Sequence, residues 1–279
     1  LVVGAHIKLT SILAESCVFN FKDRFEPNIT DTQCRLDINK LGQLELRRGY
    51  STVVATSDFK LSAGVWYFIE FKAFINSTTG TMEARVNEEV VISEFVGNTQ
   101  DETTDSVISV GIGDQNMAPK MLVDDFCVLN NLGTANNDYL GIIDIRGYVP
   151  DADGTVAWTR SAGATNVENI DNIAKSTTAD TDYISSSTLN QKDTYGLPNL
   201  TNIASIFNVG ISALASKDSQ NARTISLGIT TGANVQTSSV ILTETELVSE
   251  VQFPDIDGAN TAWTDTTYNA AVLTVEVTT

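Results

Sequence analysis

The run from Tyr67 to Ile75 alternates along its whole length, and this alternation constrains what the chain can fold into. One side reads Tyr67, Ile69, Phe71, Ala73 and Ile75, all apolar; the other reads Phe68, Glu70, Lys72 and Phe74, which is mixed. A period of two places each set on its own face of an extended chain, so the stretch predicts a strand with one buried face. The turn formers Asn76-Ser-Thr-Thr-Gly80 interrupt it. Met82, Ala84 and Val86 then alternate with Thr81, Glu83, Arg85 and Asn87, and the two runs read as a β-hairpin. Asn87-Glu88-Glu89 makes a second tight turn before Val90-Val91-Ile92. Three antiparallel strands with one apolar face need a second layer to cover that face.

The rest of residues 1–130 is dense in similar runs: Cys17–Phe21, Cys34–Ile38, Gln43–Arg47, Ser51–Ala55, Ser106–Val110 and Val123–Leu129. Short strands separated by turn residues, with almost no helical periodicity, indicate a β-sandwich. Asn130–Gly141 is rich in Asn and Gly and reads as a linker. The remainder is richer in Thr, Ser, Asn and Ala, with strand candidates at Ile142–Tyr148, Asp182–Ser186, Ile203–Ala215, Arg223–Thr230, Val235–Leu242, Glu246–Phe253 and Val272–Thr278. Ile203–Ala215 does not keep strict alternation, which a bulge or a strand buried on both faces would explain. Trp263–Ala271 predicts a short helix with Thr261 or Thr264 near its start. The expected organisation is therefore residues 1–130 as one β-sandwich, 131–141 as a linker with the boundary near Asn137, and 142–279 as a second β domain. Limited proteolysis is expected to cut within 130–141.

The chain has 279 residues and a formal charge of −18. That charge argues against a nucleic-acid backbone as partner, since such contacts need clustered Lys and Arg. No apolar run approaches the roughly 20 residues of a membrane-spanning helix. Leu1-Val-Val-Gly-Ala5 is short and lacks a basic flank, so it does not read as a signal peptide. Followed by Ile7 and Leu9, it predicts that residues 1–13 are ordered as a strand that pairs with a sheet edge of its own chain or of a neighbour, and that the protein is a homo-oligomer or docked to a partner. The odd cysteine count, Cys17, Cys34 and Cys127, is not a disulfide framework, though a Cys17–Cys34 bridge stays open.

The segments Leu36–Arg48, Gly64–Asn87 and Val123–Asn131 together resemble laminin-G-like or concanavalin A-like jelly rolls. More narrowly, Asp124–Gly141, DDFCVLNNLGTANNDYLG, resembles the junction in virion proteins of tailed bacteriophages where such a jelly roll is followed by a second β domain. The later stretches ADGTVAWTRSAGATNVENI, DTDYISSS and AWTDTTYNAAVLTVEV are similar to that family too, so the resemblance spans nearly the whole chain. Glu88-Glu89 stands at a turn where such hairpins usually carry Asn-Gly. The resemblance implies an N-terminal concanavalin A-like sandwich followed by a second sandwich-like domain. It also implies a structural role in a virion, on capsid or tail, with other virion proteins as partners and host-surface carbohydrate as a further contact.

The residues themselves offer little chemistry. Glycosidases need two carboxylates across one cleft, and the nearest alternating stretches, at Asp144 and Glu83, are broken by Arg146 and Arg85. The single histidine, His6, would have to serve any Ser-His-Asp or Cys-His mechanism, and it lies in what reads as an edge strand. No enzyme activity is expected. Asp151-Ala-Asp153 and Asp255-Ile-Asp257 space carboxylates by two in turns, a pattern that can contribute to a Ca²⁺ site but more commonly forms Asx turns; no other cofactor is indicated. Trp66, Trp158 and Trp263 are candidate stacking platforms for a glycan. A carbohydrate-binding module without catalytic activity is the competing reading. Three Asn-X-Thr matches, at Asn28, Asn76 and Asn199, are expected by chance in a Thr-rich chain.

Overall fold

The computed structural model describes residues 1–23, 32–101, 103–113, 121–130, 132, 136–171, 182–218, 220–244, 247–257 and 261–279. The fold is all-β, assembled from antiparallel sheets, and the chain divides into two compact units, Leu1–Ile145 and Arg146–Thr279.

The first unit contains β1 (Val2–Leu9), β2 (Ser16–Lys22), β3 (Thr32–Ile38), β4 (Gln43–Arg48), β5 (Thr52–Lys60), β6 (Trp66–Phe74), β7 (Gly80–Val86), β8 (Glu89–Gly97), β9 (Ser109–Ile112) and β10 (Met121–Leu129). They form two five-stranded sheets, ordered β10-β1-β6-β7-β8 and β5-β4-β3-β2-β9, that share one apolar core. Val3, Ala5, Ile7, Ile69, Phe71 and Met82 come from the first sheet; Phe19, Phe21, Leu36 and Leu46 come from the second. Phe21 and Phe71 stack at 5.0 Å between the rings, one from each sheet. Each such side chain contributes about 1.5–3 kcal/mol when fully buried. Cys34 belongs to this core, whereas Cys17 is buried outside it; neither is in a disulfide.

β1 corrects one expectation. It is not an edge strand but lies inside the sheet, with Val3 paired to both Val128 and Phe71. Val2, Val3, Gly4 and Ala5 are all buried, and a near-continuous apolar run suits a strand covered on both faces. At the β7–β8 turn, Asn87 and Glu88 both have positive φ, 50° and 72°, between the paired Val86 and Glu89. That is the geometry of a two-residue hairpin loop in which Asn and then Gly are preferred; Asn87 fits, and Glu88 stands where Gly would be unstrained.

The alternation of β6 is buried on both sides. Ile69 and Phe71 face the core, while Phe68 and Glu70, on the opposite face, are 1% and 2% exposed. A strap from the end of the unit crosses this outward face. Asp138 pairs with Lys72 at 2.8 Å, the Tyr139 ring lies 3.8 Å beneath the Arg85 guanidinium, Gly141 N–H donates to Glu70 Oε1, and Ile145 N–H donates to Asp125 Oδ1. The divide between units therefore falls after Ile145, further along than the expected boundary near Asn137. Within the expected 131–141 linker, Asp138–Gly141 is part of the first unit.

The second unit contains β11 (Ala152–Asp153), β12 (Thr159–Arg160), β13 (Ile184–Ser185), β14 (Lys192–Gly196), β15 (Val209–Ala215), β16 (Thr224–Thr231), β17 (Asn234–Ile241), β18 (Leu247–Phe253) and β19 (Ala271–Val277). One five-stranded sheet runs β11-β14-β19-β16-β17, and β15 pairs with β18 in a separate ribbon. Ile225, Leu227 and Ile229 from the sheet and Val209, Val251 and Phe253 from the ribbon share a core with Trp263 and Tyr268. Ile142–Tyr148 forms no strand. The broken alternation of Ile203–Ala215 has a simple cause: the strand begins only at Val209, and Ile206 makes a lone bridge to Trp263. α1 (Asp265–Asn269) lies inside the expected helical stretch, with Thr264 as its N-cap in a reciprocal hydrogen-bond pair with Thr267.

The strap yields a prediction. A chain ending at Asn130 loses the layer over Phe68 and Glu70, and calorimetry should find its first unit at least about 3 kcal/mol less stable than in a chain ending at Ile145. Brief proteolysis of the full chain should leave Asp138–Ile145 uncut, contrary to what a free linker would show.

Candidate functional site

Two sets of titratable side chains occupy the first unit: Arg35, Asp37, Arg47 and Glu45 pair with one another on the β5-β4-β3-β2-β9 sheet, and a second set lies on the outward face of the β10-β1-β6-β7-β8 sheet. Strand register places them in rows. Cys127, Gly4, Glu70 and Arg85 lie side by side across β10, β1, β6 and β7. Val2, Lys72 and Glu83 form the row on one side; Asp124, His6 and Phe68 form the row on the other. Between the Gly4 and His6 rungs β10 carries one extra residue, a β-bulge in which Asp125 takes a φ of 52°. The bulge turns the Asp125 carboxylate to His6, whose Nδ1 lies 2.7 Å from Oδ2, while Oδ1 accepts the Ile145 N–H at 2.7 Å.

Glycine at position 4 leaves room that its neighbours fill. A Cβ there would meet the Phe68 ring at 3.1 Å and Cys127 Sγ at 3.2 Å. Burial pushes the Glu70 carboxyl above the usual carboxylate range, an effect opposed by the Gly141 N–H, by Arg85 and by the Leu140 N–H, and reinforced by Glu88. Burial likewise pushes the Cys127 thiol up to about 11, with Glu70 adding to the shift. Tyr139 is held neutral by burial and by Glu83, to whose carbonyl its hydroxyl donates. The hydrogen bond from Lys72 holds Asp138 below the usual carboxylate range.

His6 and Asp125 have the geometry of an oriented imidazole, but among the described residues no hydroxyl or thiol is hydrogen-bonded to the other ring nitrogen. Among the described residues no group of three or more His, Cys, Asp and Glu side chains converges as a metal site.

The second unit has a polar knot that sequence reasoning missed. Asp193 is fully buried and accepts four hydrogen bonds: from the Ala157 and Trp158 N–H groups, from Asn166 Nδ2 and from the Tyr195 hydroxyl. Asp153 accepts the Asn166 and Val167 N–H groups at the start of the 3-10 turn Val167–Asn169. Asn169 closes the loop by bonding the Ala162 and Thr165 carbonyls. The signal available beforehand was a lone Asp between Lys192 and Thr194, which has no distinguishing pattern.

The residues singled out in the sequence are scattered. Asp151 is exposed, and Asp153 is committed to the knot. Asp255 Oδ1 accepts the Asp257 N–H, and Asp257 accepts from Thr261, so this turn is an Asx arrangement. Trp66 is 43% exposed, with Lys8 Nζ 5.9 Å from the ring centre. Trp158 is half-buried and donates its indole N–H to the Gln191 carbonyl. Trp263 is a core residue, 3% exposed and bonded to the Phe253 carbonyl, which leaves no ring face for a sugar. Asn28 and Thr30 lie outside the described residues, as does Gly258. Among the described residues no helix is long and apolar enough to cross a membrane.

Two outcomes follow. Asp193→Ala removes the acceptor of four hydrogen bonds, two of them from the buried Asn166 and Tyr195, and should lower the stability of the second unit by about 3–5 kcal/mol, read from denaturant unfolding with Trp158 and Trp263 fluorescence as probe. A thiol reagent applied to the native chain at neutral pH should label Cys127 slowly, faster as pH rises towards 11, and Cys17 and Cys34 only after unfolding.

A scan against models of protein families matches none, and a search of curated proteins finds no relative.

Proposed function

We propose that this chain is a structural protein of a tailed-phage virion, exposed on capsid or tail and docked to other virion proteins. In this reading the first unit is a concanavalin A-like jelly roll, the second is a sandwich-like domain, and the protein works as a homo-oligomer without catalytic activity. The resemblance carried by Leu36–Arg48, Gly64–Asn87 and Asp124–Gly141 supplies the context. The observation that carries the structural role is that the conspicuous polar groups hold the fold: His6 with Asp125, Asp153 and Asp193 with backbone N–H groups, Asp257 with Thr261. Exposed apolar side chains on strands of the second unit, Val235, Ile241 and Val248, support contact with a neighbouring protein.

The exposure of Trp66 favours carbohydrate binding as a second reading, either in a virion that touches host glycans or in a free binding module. The decisive measurement is the position and copy number of the chain in purified particles. A fixed stoichiometry is expected; its absence from particles, combined with glycan binding that Trp66→Ala abolishes, would favour the second reading. A polysaccharide screen should show no turnover, and cleavage abolished by a single Asp or Glu substitution would overturn both.

A further inference from the structure

The strap Asp138–Ile145 crosses the outward face of the first sheet and meets a carboxyl group with one oxygen left over. Glu70 Oε1 accepts the Gly141 N–H at 3.2 Å. Glu70 Oε2 is buried and, among the described residues, has no hydrogen-bond partner. A buried, ionised carboxylate oxygen without a donor is costly, whereas a protonated one is far less so. Among the described residues the two nearby cations are already engaged. Arg85 is the adjacent cation, but its Nε is bonded to Glu83 at 2.8 Å and its guanidinium covers the Tyr139 ring. Lys72 is engaged by Asp138.

We propose that the strap is a latch whose hold on the sheet depends on the protonation state of Glu70. With Glu70 neutral, the Gly141 contact and the layer over Phe68 coexist without an unmatched buried charge. With Glu70 ionised, opening the strap lets water reach Oε2, so ionisation and opening favour each other. The strap adapts to this site at Gly141, whose φ of 75° suits glycine and where a Cβ would lie 2.5 Å from Glu88 Oε1. Its two ends are fixed by separate contacts, Asp138 to Lys72 and Ile145 to Asp125, so loosening in the middle need not detach it entirely.

The groups that face Glu70 come from each packed element. β7 presents Arg85 and Glu83, the β7–β8 turn presents Glu88, β10 presents Cys127, and the strap presents Tyr139. His6 and Asp125 lie one rung along on β1 and β10. Glu88 opposes ionisation of Glu70 and Arg85 favours it; burial outweighs both. The sign follows. The docked carboxyl releases its proton at higher pH than an undocked one, so the hold is complete below the ordinary glutamate range. It is lost as pH rises through the docked value. The loss is about tenfold in the docking equilibrium for each unit separating docked and undocked values.

The test is amide hydrogen exchange on the full chain from about pH 4 to about pH 8, corrected for the intrinsic rate. Protection of Leu140–Ile145 should fall with rising pH in the wild type and stay level in Glu70→Gln. The exposed β8 carboxylate variant Glu94→Gln should behave as wild type. A wild-type strap with pH-independent protection, or a Glu70→Gln chain that keeps the fall, overturns the proposal. If Glu70→Gln fails to fold, carbon-13 titration of the wild-type Glu70 carboxyl is decisive: its midpoint and that of the Gly141 amide shift must coincide, and separate midpoints sink the idea.

Discussion

Phe68 and Glu70 share a strand with Ile69 and Phe71, and all four are buried. A strand closed on both faces needs a layer on each side, and much of the first unit follows from that requirement. The second sheet supplies one layer. The other includes the irregular segment Asp138–Ile145, which brings polar as well as apolar groups to that face. Lys72, Glu83, Arg85 and Tyr139 under and around the strap are matched with one another by ion pairs, a hydroxyl contact and a cation over an aromatic ring. Glu70 is the member left with an unmatched oxygen.

The second unit meets the same demand by different means. The described residues of 146–191 include only short strands before β14, so their backbone groups lack long ladders, and buried backbone donors must still be satisfied. Carboxylates and amides substitute for the missing strands. Asp193 gathers the Ala157 and Trp158 N–H groups, Asp153 those of Asn166 and Val167, and Asn169 the carbonyls of the same loop. Charge-assisted hydrogen bonds of this kind are stronger than neutral ones and sharply directional, which suits them to holding an irregular chain in one conformation.

These two devices also mark where the sequence could be read and where it could not. Strands whose side chains alternate by burial, such as β4 and β7, are legible because the core imposes a period of two, and β6 is legible because the residues on its core side are all apolar. The helix at Asp265–Asn269 was legible because capping is local. β14 was not, because Lys192-Asp-Thr-Tyr-Gly196 buries an aspartate and a tyrosine whose partners are distant in sequence. The strap was read as a linker because Asn and Gly do favour loops; that a loop also docks depends on Arg85, Lys72 and Glu70, far upstream. His6 was placed on an edge because position in a sheet is set by later strands, and nothing within β1 reports them. Of the glycan candidates, composition could not distinguish the exposed Trp66 from Trp263 in the core.

The interior position of β1 has a bearing on how the chain is made. β1 is synthesised before both of its neighbours, β6 and β10, and before the strap that seals its outward face. At about 5–20 residues per second, roughly 3 to 12 s separate the emergence of β1 from that of β6, and β10 follows later still. During that interval Val2, Val3, Ala5 and Ile7 have neither ladder nor core. A ribosome-bound chain of this kind exposes an adhesive apolar strand until β6, β10 and the strap have all been translated. Crowded translation on one message would bring such strands from successive ribosomes close together, and the yield of folded protein should therefore depend on translation rate and on holding chaperones more than on the stability of the finished sheet.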